Sequence, residues 1–216
     1  MNKKIPWGEL LFGFFVIATV AMYTNTLSHE WGHSLTATIF GVKSNPLEIH
    51  YTPFLLGIDE KVDYNRVAEL PGWQGVMIAA AGPLVNFIFA CLSLIFLLRF
   101  NWRSTTWPRA WLFFFYSLAL FAISGWLNYT IIRGIVPRGD IANIVRFGSI
   151  PPWVIWVPGI ITSIIFLVLF FGPARIRFCQ AFNLVSKRAQ AVQATIVIFF
   201  FLMYQCSVIY NYLYKY

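Results

Sequence analysis

Residues 73–98 of the chain read WQGVMIAAAGPLVNFIFACLSLIFLL and contain no charged residue. A helix needs about 20 mostly apolar residues to cross the hydrocarbon core of a bilayer, which is about 30 Å thick. The stretch therefore predicts a transmembrane helix. It is one of five such runs, and the other four cover approximately residues 10–40, 111–132, 153–171 and 192–212.

The composition of the whole chain agrees with a membrane location. Hydrophobic residues make up 59% of the chain and charged residues only 11%, whereas a soluble domain carries about 25% charged residues. The net charge is +8, but the basic residues flank the apolar runs, where they meet lipid headgroups, so nucleic-acid binding is not expected. We predict an all-α polytopic membrane protein, in which residues 1–216 form a single membrane domain in the cell membrane.

The longest connection between apolar runs, residues 41–72, holds five of the eight acidic residues. Within it, Leu47-Glu48-Ile49-His50-Tyr51 alternates between apolar and polar side chains. A period of two is typical of strands. We therefore expect a short strand-like loop, in the form of a hairpin at the membrane surface, after the first helix.

The first apolar run contains His29-Glu30-Trp31-Gly32-His33, an HExxH motif. Residues four apart lie on the same face of a helix, so both imidazoles can reach one metal ion, and zinc accepts such nitrogen ligands. Glu30 is then placed to take a proton from water. A charged residue at the centre of a membrane helix costs about 2.5–3.5 kcal/mol, and a bound metal compensates for this cost.

Two histidines leave zinc without a third protein ligand. Asp140 is the only acidic residue after Glu69. It follows residues 134–139, which contain two Gly and one Pro and are expected to break the third span. Non-helical backbone at membrane depth is tolerated where it lines a cavity, so Asp140 can turn inward. Glu48 and His50 are the other candidates, although their alternating context is more typical of the solvated face of a strand.

Two amide side chains lie within apolar helices, Asn86 and Asn128. A buried amide needs a hydrogen-bond partner. Asn86 lies four residues beyond Gly82 and on the same side of its helix. Each amide serves either to bridge two helices or to hold the backbone of an extended substrate.

These motifs together resemble the site-2 protease family of intramembrane zinc metalloproteases, in particular its compact members without a PDZ or other regulatory domain. The family carries HExxH in a first core helix, G-x-x-x-N in a second and an Asn…Pro…Asp-Gly element at a broken third. In this chain the third element reads Gly139-Asp140-Ile141 instead of Asp-Gly. The matching elements here are His29–His33, Gly82–Asn86 and the series Asn128, Pro137, Asp140. The resemblance covers residues 10–145 as a three-helix core, which leaves residues 151–216 as two additional transmembrane helices.

The resemblance implies a function and a role for each site residue. His29, His33 and Asp140 would bind Zn²⁺, Glu30 would act as the general base, and Asn86 and Asn128 would position the substrate. The substrate would be a transmembrane protein, cleaved in or near its membrane segment after joining the strand-like loop as an added strand. The family's usual orientation implies an outside N-terminus, whereas the distribution of basic residues slightly favours a cytoplasmic one.

Three other functions compete with proteolysis of this type. A non-catalytic membrane subunit would keep the fold and act as a scaffold or regulator among partner membrane proteins. A CAAX-type protease would need a third Glu ligand, but no Glu follows Glu69. A secondary transporter would show paired broken helices in two repeated halves, and the sequence has no such repeat.

Overall fold

The computed structural model describes residues 7–51, 58–100 and 109–214, which form nine α-helices, two π-helical segments and two short strands. The α-helices are α1 (Trp7–Ile39), α2 (Tyr64–Val67), α3 (Gly72–Arg99), α4 (Arg109–Leu127), α5 (Arg133–Ile135), α6 (Asp140–Gly148), α7 (Trp153–Leu169), α8 (Arg175–Ala181) and α9 (Lys187–Tyr214). The strands are β1 (His50–Tyr51) and β2 (Ile58–Asp59). The π-helical segments, Asn128–Ile132 and Phe170–Ala174, join α4 to α5 and α7 to α8.

The predicted fold class is confirmed. Four helical stretches in the described ranges are long and apolar enough to cross a membrane: Gly72–Arg99, Arg109–Ile135, Trp153–Ala181 and Lys187–Cys206. The remaining predicted span corresponds to α1, a continuous helix of 33 residues. At about 1.5 Å per residue it is about 50 Å long, which exceeds the thickness of a hydrocarbon core.

Helices α1, α3 and α4 pack against one another, and α6 packs on α3. Small residues allow these helices to approach closely. A Cβ atom on Gly32 of α1 would lie 3.0 Å from the main-chain oxygen of Ala81 in α3, and one on Gly125 of α4 would lie 2.6 Å from the Asn86 amide nitrogen. The backbones of α1 and α3 are therefore in near contact, and the Asn86 side chain fills the space between α3 and α4.

The largest apolar core lies between α3, α4 and the helix formed by α7 and α8. Tyr116 is at its centre, because its ring stacks on Phe170 at 4.6 Å and on Phe178 at 4.2 Å between centroids. In contrast, α9 is mostly exposed on the described part of its surface. Its contacts with the other helices include Gln193 to the Tyr116 hydroxyl at 3.1 Å and the ring pair Phe171–Phe201.

The predicted hairpin is present but smaller than the sequence pattern indicates. β1 and β2 are antiparallel, with His50 opposite Asp59 and Tyr51 opposite Ile58. Only the last two residues of the predicted strand at 47–51 are in a strand, and residues 52–57 lie outside the described ranges. β2 lies against α1, so the hairpin is close to the HExxH motif.

The third span breaks where Gly and Pro predict it. After α5 ends at Ile135, residues 136–139 are non-helical. Gly139 has φ +55° and ψ −132°, a conformation open almost only to glycine, and α6 begins at the next residue, Asp140. With the helix broken at this point, the Asp140 carboxylate lies next to α1.

Candidate metal centre

The two histidines of the HExxH motif lie on one buried face of α1. The His29 and His33 side chains are one helical turn apart, and their Nε2 atoms are 3.3 Å apart. Their exposed fractions are 4% and 1%. Both rings therefore point into the protein, where α3 and α6 meet α1.

The Asp140 carboxylate completes a compact triangle of donor atoms. Its Oδ2 lies 3.4 Å from His29 Nε2 and 3.3 Å from His33 Nε2. A tetrahedral zinc ion with bonds of about 2.0–2.1 Å holds its ligand atoms about 3.3–3.4 Å apart. The three donor atoms thus have the spacing that would suit one zinc ion.

The alternative third ligands lie elsewhere. Glu48 and His50 are both exposed in the first loop, and Glu48 lies 3.9 Å from the Lys61 ammonium group. Among the described residues, the group of potential metal ligands is His29, His33 and Asp140. Asp140 is therefore the acidic side chain that the fold brings to the histidine pair.

The second nitrogen of each imidazole is held in a different way. His33 Nδ1 donates to the main-chain oxygen of Ile78 at 2.7 Å, which leaves Nε2 with its lone pair directed at the triangle. His29 Nδ1 is buried and has no hydrogen-bond partner among the described residues. Its ring instead stacks on Tyr129 at 4.7 Å between centroids and 28° between planes.

Tyr129 comes from the π-helical segment after α4 and connects His29 to Arg133. The Arg133 guanidinium carbon lies 4.4 Å from the centre of the Tyr129 ring, within the range of a cation–π interaction. The same guanidinium packs against Gly139, which precedes Asp140. Arg133 therefore contacts both Tyr129, which stacks on His29, and Gly139, which precedes Asp140.

Gly82 gives the histidines the space they occupy. A Cβ atom at this position of α3 would lie 2.6 Å from His29 Nε2 and closer still to His33 Nε2. Any larger residue would enter the volume between the two donor atoms. The glycine of the predicted G-x-x-x-N element thus has a steric role at this site.

Glu30 is half-buried beside the histidines, and its carboxyl group contacts that of Glu60, the residue after β2. The Tyr64 hydroxyl of α2 is buried near the same group. Burial, together with the charges of Asp140 and Glu60, raises the pKa of Tyr64 well above its usual value. The phenol therefore stays neutral next to this acidic pair.

The two predicted amides are buried, with exposed fractions of 2% for Asn86 and 3% for Asn128. The Asn86 side chain lies against Gly125 of α4, and Asn128 begins the π-helical segment. Neither Oδ1 atom has a hydrogen-bond partner among the described residues. A buried amide oxygen without a partner is costly, so each of these two calls for a hydrogen-bond donor that the described residues do not supply.

The structure adds four residues that the sequence analysis did not assign to the site: Tyr129, Arg133, Glu60 and Tyr64. Arg133 gave no distinguishing signal, because a basic residue at the end of an apolar span ordinarily meets lipid headgroups. The other three reach the site only through contacts between segments that are distant in sequence, and no local pattern marks them.

Comparison with known proteins identifies the family. The sequence model described as Peptidase family M50 matches residues 17–213, nearly the whole chain. No curated protein and no solved structure matches the chain. The resemblance predicted from the three motifs is thereby confirmed. The chain belongs to peptidase family M50, the site-2 protease family of membrane metalloproteases.

Proposed function

We propose that this protein is an intramembrane zinc metalloprotease that hydrolyses peptide bonds in or near the transmembrane segments of other membrane proteins. The observation that carries the proposal is the buried triangle of His29 Nε2, His33 Nε2 and Asp140 Oδ2, whose sides are 3.3–3.4 Å. This spacing suits zinc, and Glu30, which follows His29 in the HExxH motif, supplies a carboxylate beside it. His29, His33 and Asp140 are the proposed ligands, and Glu30 is the proposed general base.

A zinc ion held by His29, His33 and Asp140 would supply Lewis acidity, which would lower the pKa of water and polarise a carbonyl group. Glu30 takes a proton from the attacking water on its carboxylate. It later returns that proton to the amine that leaves when the peptide bond breaks. The hydrogen bond from His33 Nδ1 to Ile78 and the stacking of His29 on Tyr129 keep the two imidazoles oriented throughout.

The substrate has to be locally unwound, because a helix uses its carbonyl groups in internal hydrogen bonds. An extended segment can bind to the hairpin of β1 and β2 as an added strand. The unpaired amide oxygens of Asn86 and Asn128 are proposed to accept hydrogen bonds from its main chain. These features favour substrates with helix-destabilising residues in their membrane segments, and we propose the cell membrane as the location.

The substitution Glu30→Gln tests the proposal, because it keeps the shape of the side chain and removes its basicity. We expect the variant to bind as much zinc as the wild type and to lose at least ~100-fold in turnover, the scale of general-base catalysis. Turnover is measured in proteoliposomes with a panel of single-span substrates that carry Gly or Pro in the span, and zinc by elemental analysis.

The control for this experiment is Glu69→Gln, which changes an exposed acid outside the described site. Undiminished cleavage by the Glu30 variant would remove Glu30 from its role. A wild-type chain that carries no zinc and forms a stoichiometric complex with an uncut partner would instead favour the scaffold function.

A further inference from the structure

The ammonium group of Lys43 connects three parts of the first loop and α1. Its Nζ donates to Ser34 Oγ at 2.8 Å and to the main-chain oxygens of Glu48 and Glu60. An ammonium group has three N–H donors and no acceptor, so these bonds use all its hydrogen-bonding capacity. Lys43 is partly exposed, but bonds from charged donors are the stronger ones, and three of them converge on this one group.

Ser34 connects Lys43 to α1, the helix that carries the HExxH motif. It directly follows His33 on α1 and has an exposed fraction of 0%. Its hydroxyl accepts from Lys43 and donates to the main-chain oxygen of Pro46 at 2.7 Å. Both bonds therefore go to the first loop, one residue away from a proposed zinc ligand.

The two carbonyl groups that Lys43 holds lie on either side of the hairpin. Glu48 precedes β1 by two residues, and Glu60 directly follows β2. One cation therefore closes the base of the hairpin and fixes it to α1. Because the Glu60 side chain contacts Glu30, this arrangement also sets where the hairpin meets the proposed base.

Lys61, in the same loop, provides a comparison, because it makes an exposed ion pair with a side chain of the loop. Its side chain is 48% exposed, and its ammonium group lies 3.9 Å from the Glu48 carboxylate. Such exposed pairs contribute little to stability. The two lysines share a loop and a charge, but of the two it is Lys43 whose ammonium group donates both to main-chain oxygens of the loop and to the Ser34 hydroxyl of α1.

We propose that Lys43 is a positioning residue for proteolysis, which clamps the first-loop hairpin onto α1 at Ser34 and so presents the extended substrate to the metal site. The inference rests on the proposed function, because it assigns the hairpin to substrate presentation. It requires that the loop be held independently of the zinc ligands. Loss of the clamp should therefore loosen the loop and weaken productive binding while zinc stays bound.

The test compares Lys43→Met with the matched control Lys61→Met, in the full chain in proteoliposomes. Three quantities are measured: zinc content, hydrogen exchange of the amides at 44–51 and 58–63, and kcat and KM for a cleaved single-span substrate. For Lys43→Met we expect wild-type zinc content, loop exchange about tenfold faster, and kcat/KM about tenfold lower mainly through KM, from the loss of charge-assisted bonds. Lys43→Arg, which keeps a charged donor, should recover part of both losses.

The inference is overturned if Lys43→Met matches Lys61→Met within twofold in both exchange and kcat/KM, or if it loses zinc along with activity. Should Lys43→Met fail to fold, Ser34→Ala removes the acceptor on α1 and is held to the same outcomes. A wild-type chain that binds zinc but cleaves nothing would contradict the proposed function alone, and the exchange measurement would then decide whether the clamp exists.

Discussion

Among the described glycines, Gly82 leaves the least room for a side chain, because the two imidazoles occupy the space where it would be. A Cβ atom there would lie 2.6 Å from His29 Nε2, well inside contact distance. This explains in physical terms why a glycine stands one turn before Asn86 on α3. The sequence placed Gly82 on the same side of its helix as Asn86, but it did not show that the neighbour is a pair of imidazoles.

Replacing Gly82 with alanine should therefore displace the histidines. We expect zinc affinity to fall by more than ~10-fold, the scale seen when groups that orient metal ligands are lost. The measurement is a competition titration with a chromophoric zinc chelator. Gly13→Ala is the matched control, because a Cβ at Gly13 meets nothing within 4 Å and alanine favours a helix by about 1 kcal/mol. Equal zinc affinity in the two variants would contradict the steric role.

At the scale of elements, the break between α5 and α6 places Asp140. Gly139 has φ +55° and ψ −132°, and its Cα faces the Arg133 guanidinium, since a Cβ there would lie 2.9 Å from Nη1. A side chain at this position would be strained in its backbone and would push on Arg133. Both effects act on the residue just before the proposed ligand.

We expect Gly139→Ala to lower zinc affinity as well as thermal stability, since unfavourable backbone conformations cost about 1–3 kcal/mol each. Gly41→Ala is the control, because Gly41 also has a positive φ of 75° but has open space around it. The Tm and the zinc affinity of both variants are compared. A Gly139 variant that loses stability but keeps full zinc affinity would show that the break does not set the position of Asp140.

The elements were largely predictable from sequence, and the exceptions have physical causes. Apolar runs indicated every long helix, because the bilayer sets a minimum length. The π-helical segment Asn128–Ile132 was not predictable, since a single wide turn leaves no periodic signal in a uniformly apolar run. It is this segment that carries Tyr129 onto His29. The short strands differ from the predicted 47–51 because tertiary contacts, not alternation, decide where pairing stops.

At the scale of the whole molecule, the site is made by three segments that are far apart in sequence. HExxH spacing identified His29 and His33 from a local rule, and the Gly and Pro residues before Asp140 indicated a break. Nothing local shows that the break turns toward α1, or that Glu60 and Lys43 from the first loop reach the same place. Those positions follow from the packing of α1, α3, α4 and α6, which only the folded chain specifies.

The convergence of these segments on one zinc ion is tested most directly by the metal content of the full chain. Three proteins are compared: the wild type, Asp140→Ala and the control Asp63→Ala, which removes the exposed N-cap of α2. Each is purified in the presence of zinc, dialysed against zinc-free buffer and analysed for metal. We predict one zinc per chain in the wild type and the control, and less than about a tenth of that in Asp140→Ala. Zinc retained by Asp140→Ala at the level of the control, or none in the wild type, would contradict the account.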